Sequence, residues 1–344
     1  MGSGGVGTGG TSATGGVSGS GGRSGTGGNS ATGGRAEGGA RGPGSGGSSA
    51  SGGSATGGSK GQAGQSGGGA GGRATGGGGS GGSLSRYVFT AFTNGSESNM
   101  YVYTSTDGLN FKLTKGPAYT PPMDLVRDPS VIKHSDGLYY IAYTVNWDGA
   151  QFGIARSQDL QTWTFVANIP VGVSGVTSTW APEWFREPDD GSLNIIVSLS
   201  KGNRTNFTPY RFHATDDTLT HFGEGTQLAG LSPNYIDTFI VKVGSTYHNF
   251  SKNETTKYIE HGTSTSLTGP FTITGKADWA GWGANLEGPA LFRTANGGWR
   301  ILMDGYSDGH YYYSDSSDLM TWSAKKELPG GLSGNVRHGT VLPE

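Results

Sequence analysis

Cysteine is absent from this 344-residue chain, which excludes a disulfide framework, a thiolate nucleophile and any cysteine-based metal centre. Charge is sparse as well. Net charge is −2, and the aromatic-containing part has no long basic run, so nothing points to nucleic acid or a membrane surface as partner. No run is apolar enough to span a membrane, and Met1-Gly-Ser-Gly-Gly is not a signal peptide. Convincing helical periodicity is missing too. The most uneven shortage is of aromatics: residues 1–83 contain none, and all 8 Trp, 15 Tyr and 13 Phe follow.

Residues 1–83 are instead Gly, Ser, Thr and Ala in variations on Gly-Gly-Thr-Ser-Ala-Thr-Gly-Gly. Such a composition cannot bury enough apolar surface to offset the entropy of ordering, so a disordered linker is expected there. A tether of this kind before a globular domain fits an exported protein. A secreted or cell-surface-tethered location is therefore expected, with the export signal not contained in this sequence. Residues 84–344 have the length and apolar content for one large all-β domain, expected to be a monomer.

In that part, short runs rich in aromatic and β-branched residues alternate with Gly, Asn, Asp and Pro. Tyr87–Phe92, Met100–Thr104, Tyr139–Thr144 and Asn194–Leu199 read as strands. A polar turn, a leucine plug and an aromatic recur at Ser105-Thr-Asp107-Gly-Leu109-Asn-Phe111 and at Ser157-Gln-Asp159-Leu160-Gln-Thr-Trp163. They return at Asp216–Phe222, Ser264–Phe271 and Ser316–Trp322. Five units of about 50 residues, each too small to bury its own face, predict a five-bladed β-propeller with four-stranded blades. The aspartates of these turns, Asp107, Asp159 and Asp318, have a structural reading. Only an inner strand, Arg337 to Leu342, remains for the last blade. Its outer strands must come from Tyr87–Phe92, Met100–Thr104 and Asn110–Leu113, which closes the ring across the two ends.

A second set of motifs opens the units: Val126-Arg-Asp128-Pro-Ser-Val-Ile, Trp180-Ala-Pro-Glu183, Ile236-Asp237-Thr-Phe-Ile, Glu287-Gly-Pro-Ala-Leu-Phe and Arg337-His338-Gly-Thr-Val. First strands of propeller blades line the central channel, so these motifs converge on one axis. Asp128, Asp237 and Glu287 then share a pocket, where three carboxylates cannot ionise independently. Such a spread of pKa values gives one group as base and another as acid, the apparatus of glycoside hydrolysis.

In this order and spacing the five motifs resemble glycoside hydrolase family 43, over about Tyr87 to Glu344. The resemblance implies a five-bladed propeller that inverts anomeric configuration and removes arabinose or xylose from plant cell-wall polysaccharide. Asp128 matches the general base, Glu287 the general acid, and Asp237 the third acid that tunes and holds Glu287. Arg337, His338, Trp180 and Glu183 are expected at the substrate. His338 matches a channel histidine that in many relatives faces an ion, often calcium, although no calcium-ligand loop is present and no cofactor is required. An α-L-arabinofuranosidase acting on arabinan or arabinoxylan is the expected activity. A β-xylosidase or exo-galactanase on the same fold, and a non-catalytic carbohydrate-binding propeller, are the alternatives. Trp147, Trp184, Phe207, Trp279 and Trp282 are expected in blade-connecting loops at the rim.

Overall fold

The structure is a computed structural model that describes residues 84, 86–123 and 125–344, so the expected linker lies outside the described residues. These residues form only strands, turns and loops, and no helix among them is long and apolar enough to cross a membrane.

Five four-stranded antiparallel sheets make five blades. The first blade runs β4 (Arg127–Lys133), β5 (Tyr139–Thr144), β6 (Gln151–Ser157) and β7 (Trp163–Pro170). The second has β8 (Ser178–Arg186), β9 (Leu193–Ser200), β10 (Thr208–His213) and β11 (Thr226–Gln227). The third has β12 (Tyr235–Val243), β13 (Thr246–Asn253), β14 (Ile259–Ser264) and β15 (Thr272–Gly275). The fourth has β16 (Glu287–Arg293), β17 (Trp299–Gly305), β18 (His310–Ser316) and β19 (Lys326–Glu327). The last blade joins β20 (Val336–Pro343) to β1 (Tyr87–Thr93), β2 (Ser96–Ser105) and β3 (Lys112–Tyr119), the shared closure that the repeat arithmetic required.

That closure is antiparallel, pairing Tyr87 with Pro343 and Ala91 with Gly339. Glu344 then ties the last blade to the first. Its carboxylate pairs with Arg86, accepts from the Tyr139 hydroxyl at 2.7 Å and meets Lys133 Nζ at 3.2 Å. Hydrophobic packing occurs between blades. Tyr140, Phe152 and Ile154 of the first blade interlock with Trp184, Ile195 and Phe212 of the second, all nearly inaccessible to solvent. Each sheet thus buries a face that it could not bury alone.

The recurring turns are hydrogen-bonded caps. Asp159 Oδ1 accepts from the backbone N–H groups of Gln161 and Thr162, each at 2.8 Å, and Asp318 does the same for Met320 and Thr321. Leu160 and Leu319 take left-handed backbone (φ 66° each) and are buried as plugs. In the last blade that position belongs to Gly108 (φ 67°), not to Leu109 as the motif alignment predicts. A Cβ on Gly108 would lie 2.9 Å from the Phe292 ring, so the phenyl of the neighbouring blade is the plug here. The outer strand also starts later than the predicted Asn110–Leu113. Leu109 and Asn110 donate their N–H groups to Asp107 Oδ1, which holds them in the turn until Lys112.

Candidate active site

The site grows from one backbone device repeated around the axis. The β4, β8, β12 and β16 inner strands slip register against their neighbours between Arg127 and Ser130, Trp180 and Glu183, Ile236 and Phe239, and Glu287 and Ala290. The β20 strand slips at the same level, where Arg337 and Gly339 face consecutive residues of β1. In the first four the bulged residue is left-handed: Asp128 (φ 50°), Ala181 (φ 50°), Asp237 (φ 54°) and Gly288 (φ 56°). Left-handed backbone at non-glycine residues costs energy, is best tolerated by Asp and Asn, and concentrates at functional sites, as do bulges.

Two layers of side chains result. The residue before each bulge, namely Arg127, Trp180, Ile236, Glu287 and Arg337, reaches one cavity of about 310 Å³. One position on, Asp128, Asp237 and His338 form its floor. Ala181 and Gly288 supply almost no side chain in that lower layer. The vacated space takes the His338 ring, since a Cβ on Gly288 would lie 2.5 Å from His338 Cδ2.

Asp128 Oδ2 accepts from the Thr144 hydroxyl at 2.9 Å, and that hydroxyl accepts from the Ala181 N–H at 2.8 Å. His338 Nδ1 lies 3.4 Å from Asp128 Oδ1 and 3.7 Å from Asp237 Oδ2. Asp237 Oδ2 also accepts from the Gly288 N–H at 3.1 Å. Burial pushes the Asp237 carboxyl up to about 6, reinforced by Glu287 and Asp128 and opposed by His338. Burial alone would lower the His338 pKa, but Asp237 and Asp128 hold it above the ordinary value.

Glu287 goes the other way. Its Oε2 accepts from Lys252 Nζ at 2.9 Å and its Oε1 from Arg337 Nη2. Burial raises its pKa, yet the two cations outweigh burial and hold the carboxyl below the ordinary range. Arg337 is itself fixed from behind by Asp304, whose Oδ2 accepts from Arg337 Nε at 2.8 Å and from the His338 N–H at 2.9 Å. Burial, and then Glu287, push Asp304 up to about 6.

One wall is aromatic. Trp180 donates its indole N–H to the Trp147 carbonyl at 2.9 Å and is backed by Phe207 at a centroid distance of 4.5 Å. Arg127 lies over Trp147, 3.8 Å from the ring centroid, and Glu97 accepts from both Arg127 (3.0 Å) and the Trp147 indole (3.1 Å).

Several expected positions fall elsewhere. Glu183 does not line the cavity. It is buried beneath it, where both carboxylate oxygens accept hydroxyls, Ser130 at 2.7 Å and Thr340 at 2.8 Å, and burial pushes its pKa up to about 7. Of the five aromatics assigned to the rim, only Trp147 lines the cavity. Trp184 lies in β8 and is buried between blades, Phe207 is fully buried behind Trp180, and Trp279 and Trp282 pack with Phe250 and Trp322 in a core cluster. Sequence reading missed Lys252, Asp304, Thr144 and Glu97. The available signal was a charge inside an apolar strand, as in Phe250-Ser-Lys252 and Ile301-Leu-Met-Asp304.

A calcium site beside His338 finds little support in these side chains. Among the described residues no group of three or more His, Asp or Glu is arranged to hold a metal. The His338 Nδ1 edge already faces two carboxylates, while calcium takes six to eight oxygens.

A five-bladed propeller whose inner strands project carboxylates into one axial pocket is the architecture of a glycoside hydrolase. The chain belongs to the family described as a probable glycosyl hydrolase domain related to family 43, which matches residues 83–343. No curated protein matches its sequence. An endo-1,4-beta-xylanase from Bacteroides thetaiotaomicron is similar in structure, with 14% identity, 74% of this chain and 93% of that one covered, and a TM-score of 0.53. An endo-arabinase from the same organism aligns over 72% and 90% at 16% identity and a TM-score of 0.53. An exo-beta-1,3-galactanase from Clostridium thermocellum aligns over 74% and 63% at 12% identity and a TM-score of 0.55. At such identities the likeness is one of fold.

Proposed function

We propose that the protein is an inverting exo-acting glycosidase that removes terminal α-L-arabinofuranosyl residues from plant cell-wall arabinan or arabinoxylan. The observation that carries this reading is the meeting of Asp128, Asp237 and Glu287 on one cavity of about 310 Å³. That volume equals about ten waters, enough for one or two sugar rings and at the small end of ligand pockets.

In this reading a sugar ring lies against Trp180 and Trp147. Asp128, fixed by the Thr144 hydroxyl, takes a proton from a water that attacks the anomeric carbon. Glu287, carrying a proton, delivers it to the departing glycosidic oxygen. Asp237 holds negative charge close to Glu287 and fixes the neighbouring backbone through the Gly288 N–H. Lys252 and Arg337 favour the ionised form of Glu287, so its protonation works against both cations.

Hydrolysis of 4-nitrophenyl α-L-arabinofuranoside, β-D-xyloside and β-D-galactoside by wild type and Glu287→Ala, with arabinan and arabinoxylan beside them, tests the assignment. Release of arabinose by wild type alone is the expected outcome. Preference for the xyloside or galactoside would move the substrate, and equal residual rates in both proteins would remove the enzyme. Proton NMR of the first-formed product should show inverted anomeric configuration.

A further inference from the structure

Lys252 contributes a buried ammonium that no step above uses. It projects from the second strand of the third blade, and its Nζ lies 2.9 Å from Glu287 Oε2, 2.9 Å from Glu254 Oε2 and 4.3 Å from the centre of the Tyr306 ring. Its hydrogen bond goes to Glu287. Glu254 Oε2, although equally near, is buried and accepts no hydrogen bond. The other oxygen of Glu254 is taken by Lys257. One ammonium therefore bridges two carboxylates at the same distance, hydrogen-bonded to Glu287 and ion-paired with Glu254.

Both oxygens of Glu287 accept from cations in this state, so protonation of Glu287 has to work against two close positive charges. Arg337 is held from behind by Asp304 at 2.8 Å. Lys252 can retreat, because it is already paired with Glu254 and a small reorientation of its ammonium moves the hydrogen bond from Glu287 to Glu254. Resting on the assignment of Glu287 as proton donor, we propose that Lys252 is a positioning residue that clamps Glu287 in the empty site and passes to Glu254 when a sugar occupies the pocket.

The proton balance is simple. As Lys252 leaves, Glu287 takes a proton from solvent and gives it to the glycosidic oxygen as the C–O bond breaks. Water forms the new bond to the anomeric carbon, and its proton passes to Asp128 and then to solvent. The other charged groups facing Glu287 are Arg337, Asp237, Asp304 and His338, with Tyr306 alongside Lys252.

The full chain labelled with ¹³C at glutamate carboxyls, with the Glu287 resonance identified from its loss in Glu287→Gln, gives a readout independent of turnover. In Lys252→Met the Glu287 titration midpoint should rise by at least about one pH unit, the effect of removing a close opposite charge. In Lys252→Arg it should stay near wild type. An unmoved midpoint in folded Lys252→Met overturns the clamp. Glu254→Gln removes the receiving carboxylate, so kcat on the best aryl glycoside should fall at least about tenfold while the free-protein Glu287 midpoint does not rise. An unchanged kcat there overturns the hand-over. Absence of turnover in wild type would instead count against the glycosidase reading, while the resonance shift would still judge the clamp.

Discussion

Gly288 and His338 share one volume: the imidazole of His338 fills the space that any side chain at Gly288 would need, with its Cδ2 2.5 Å from the ideal Cβ position. The same glycine has left-handed backbone (φ 56°) and donates its N–H to Asp237. Gly288→Ala therefore combines backbone strain with a displaced ring, at a cost of about 1–3 kcal/mol. The melting temperature should fall by roughly 2–10 °C, and the rate should fall as Asp237 and His338 move apart. A variant that melts with wild type would contradict the packing.

Thr144 separates geometry from chemistry at the same site. Its hydroxyl donates to Asp128 and accepts from the Ala181 N–H. Thr144→Val keeps the volume but leaves a buried N–H without acceptor, which costs about 1–3 kcal/mol. Asp128→Asn keeps the fold and removes the base, with a loss of about 10²–10⁴-fold in kcat. Chemical denaturation beside kinetics should show the first variant mainly destabilised and the second mainly inactive. Near wild-type turnover in Asp128→Asn would dismiss Asp128 as base.

Trp180 presents an indole to the cavity and takes no part in proton transfer. Trp180→Ala should raise KM about tenfold, about 1.4 kcal/mol of binding, while kcat changes little. A fall in kcat at constant KM would place Trp180 in the reaction step.

Stability should fall as pH rises from 5 to 8. Asp237 and Asp304 move from 3.8 up to about 6 and Glu183 from 4.5 up to about 7 on burial. Each binds its proton more tightly when folded, so destabilisation begins above the unfolded value and is complete above the folded one. His338, raised by Asp237 and Asp128 against its burial, has the same sign: its contribution is present at low pH and lost as pH climbs. Glu287 has the opposite sign, but its contribution is lost only in acid below that range. Burial lowers His248 and, to about 4, His261, whose contribution grows as pH rises through 6.5 and offsets part of the fall. Calorimetry across this range should show a falling melting temperature, and Glu183→Gln should flatten the fall. A melting temperature that rises towards pH 8 would contradict these directions.

Much of the fold was legible because the blade turn is local. Ser157 and Asp159 cap their own neighbours through hydrogen bonds spanning two or three residues, so the signature survives in the sequence wherever a blade repeats. Inner-strand motifs were legible for a similar reason, since every inner strand carries a bulge at one level. The phase of that bulge was not. Trp180 reaches the cavity while Glu183, three residues later, lies beneath it, because the left-handed turn at Ala181 redirects the alternation of side chains.

The sequence by itself determined five repeating units, closure across the two ends and the presence of acids on the axis, all consequences of local patterning and chain order. Only the tertiary structure decided the ionisation of those acids. Lys252 and Asp304 lie on second strands of two different blades, 52 residues apart in numbering, and meet Glu287 and Arg337 only when neighbouring blades pack together. Burial and a neighbouring charge are properties of that packing, and they set Glu287 low and Asp237 high.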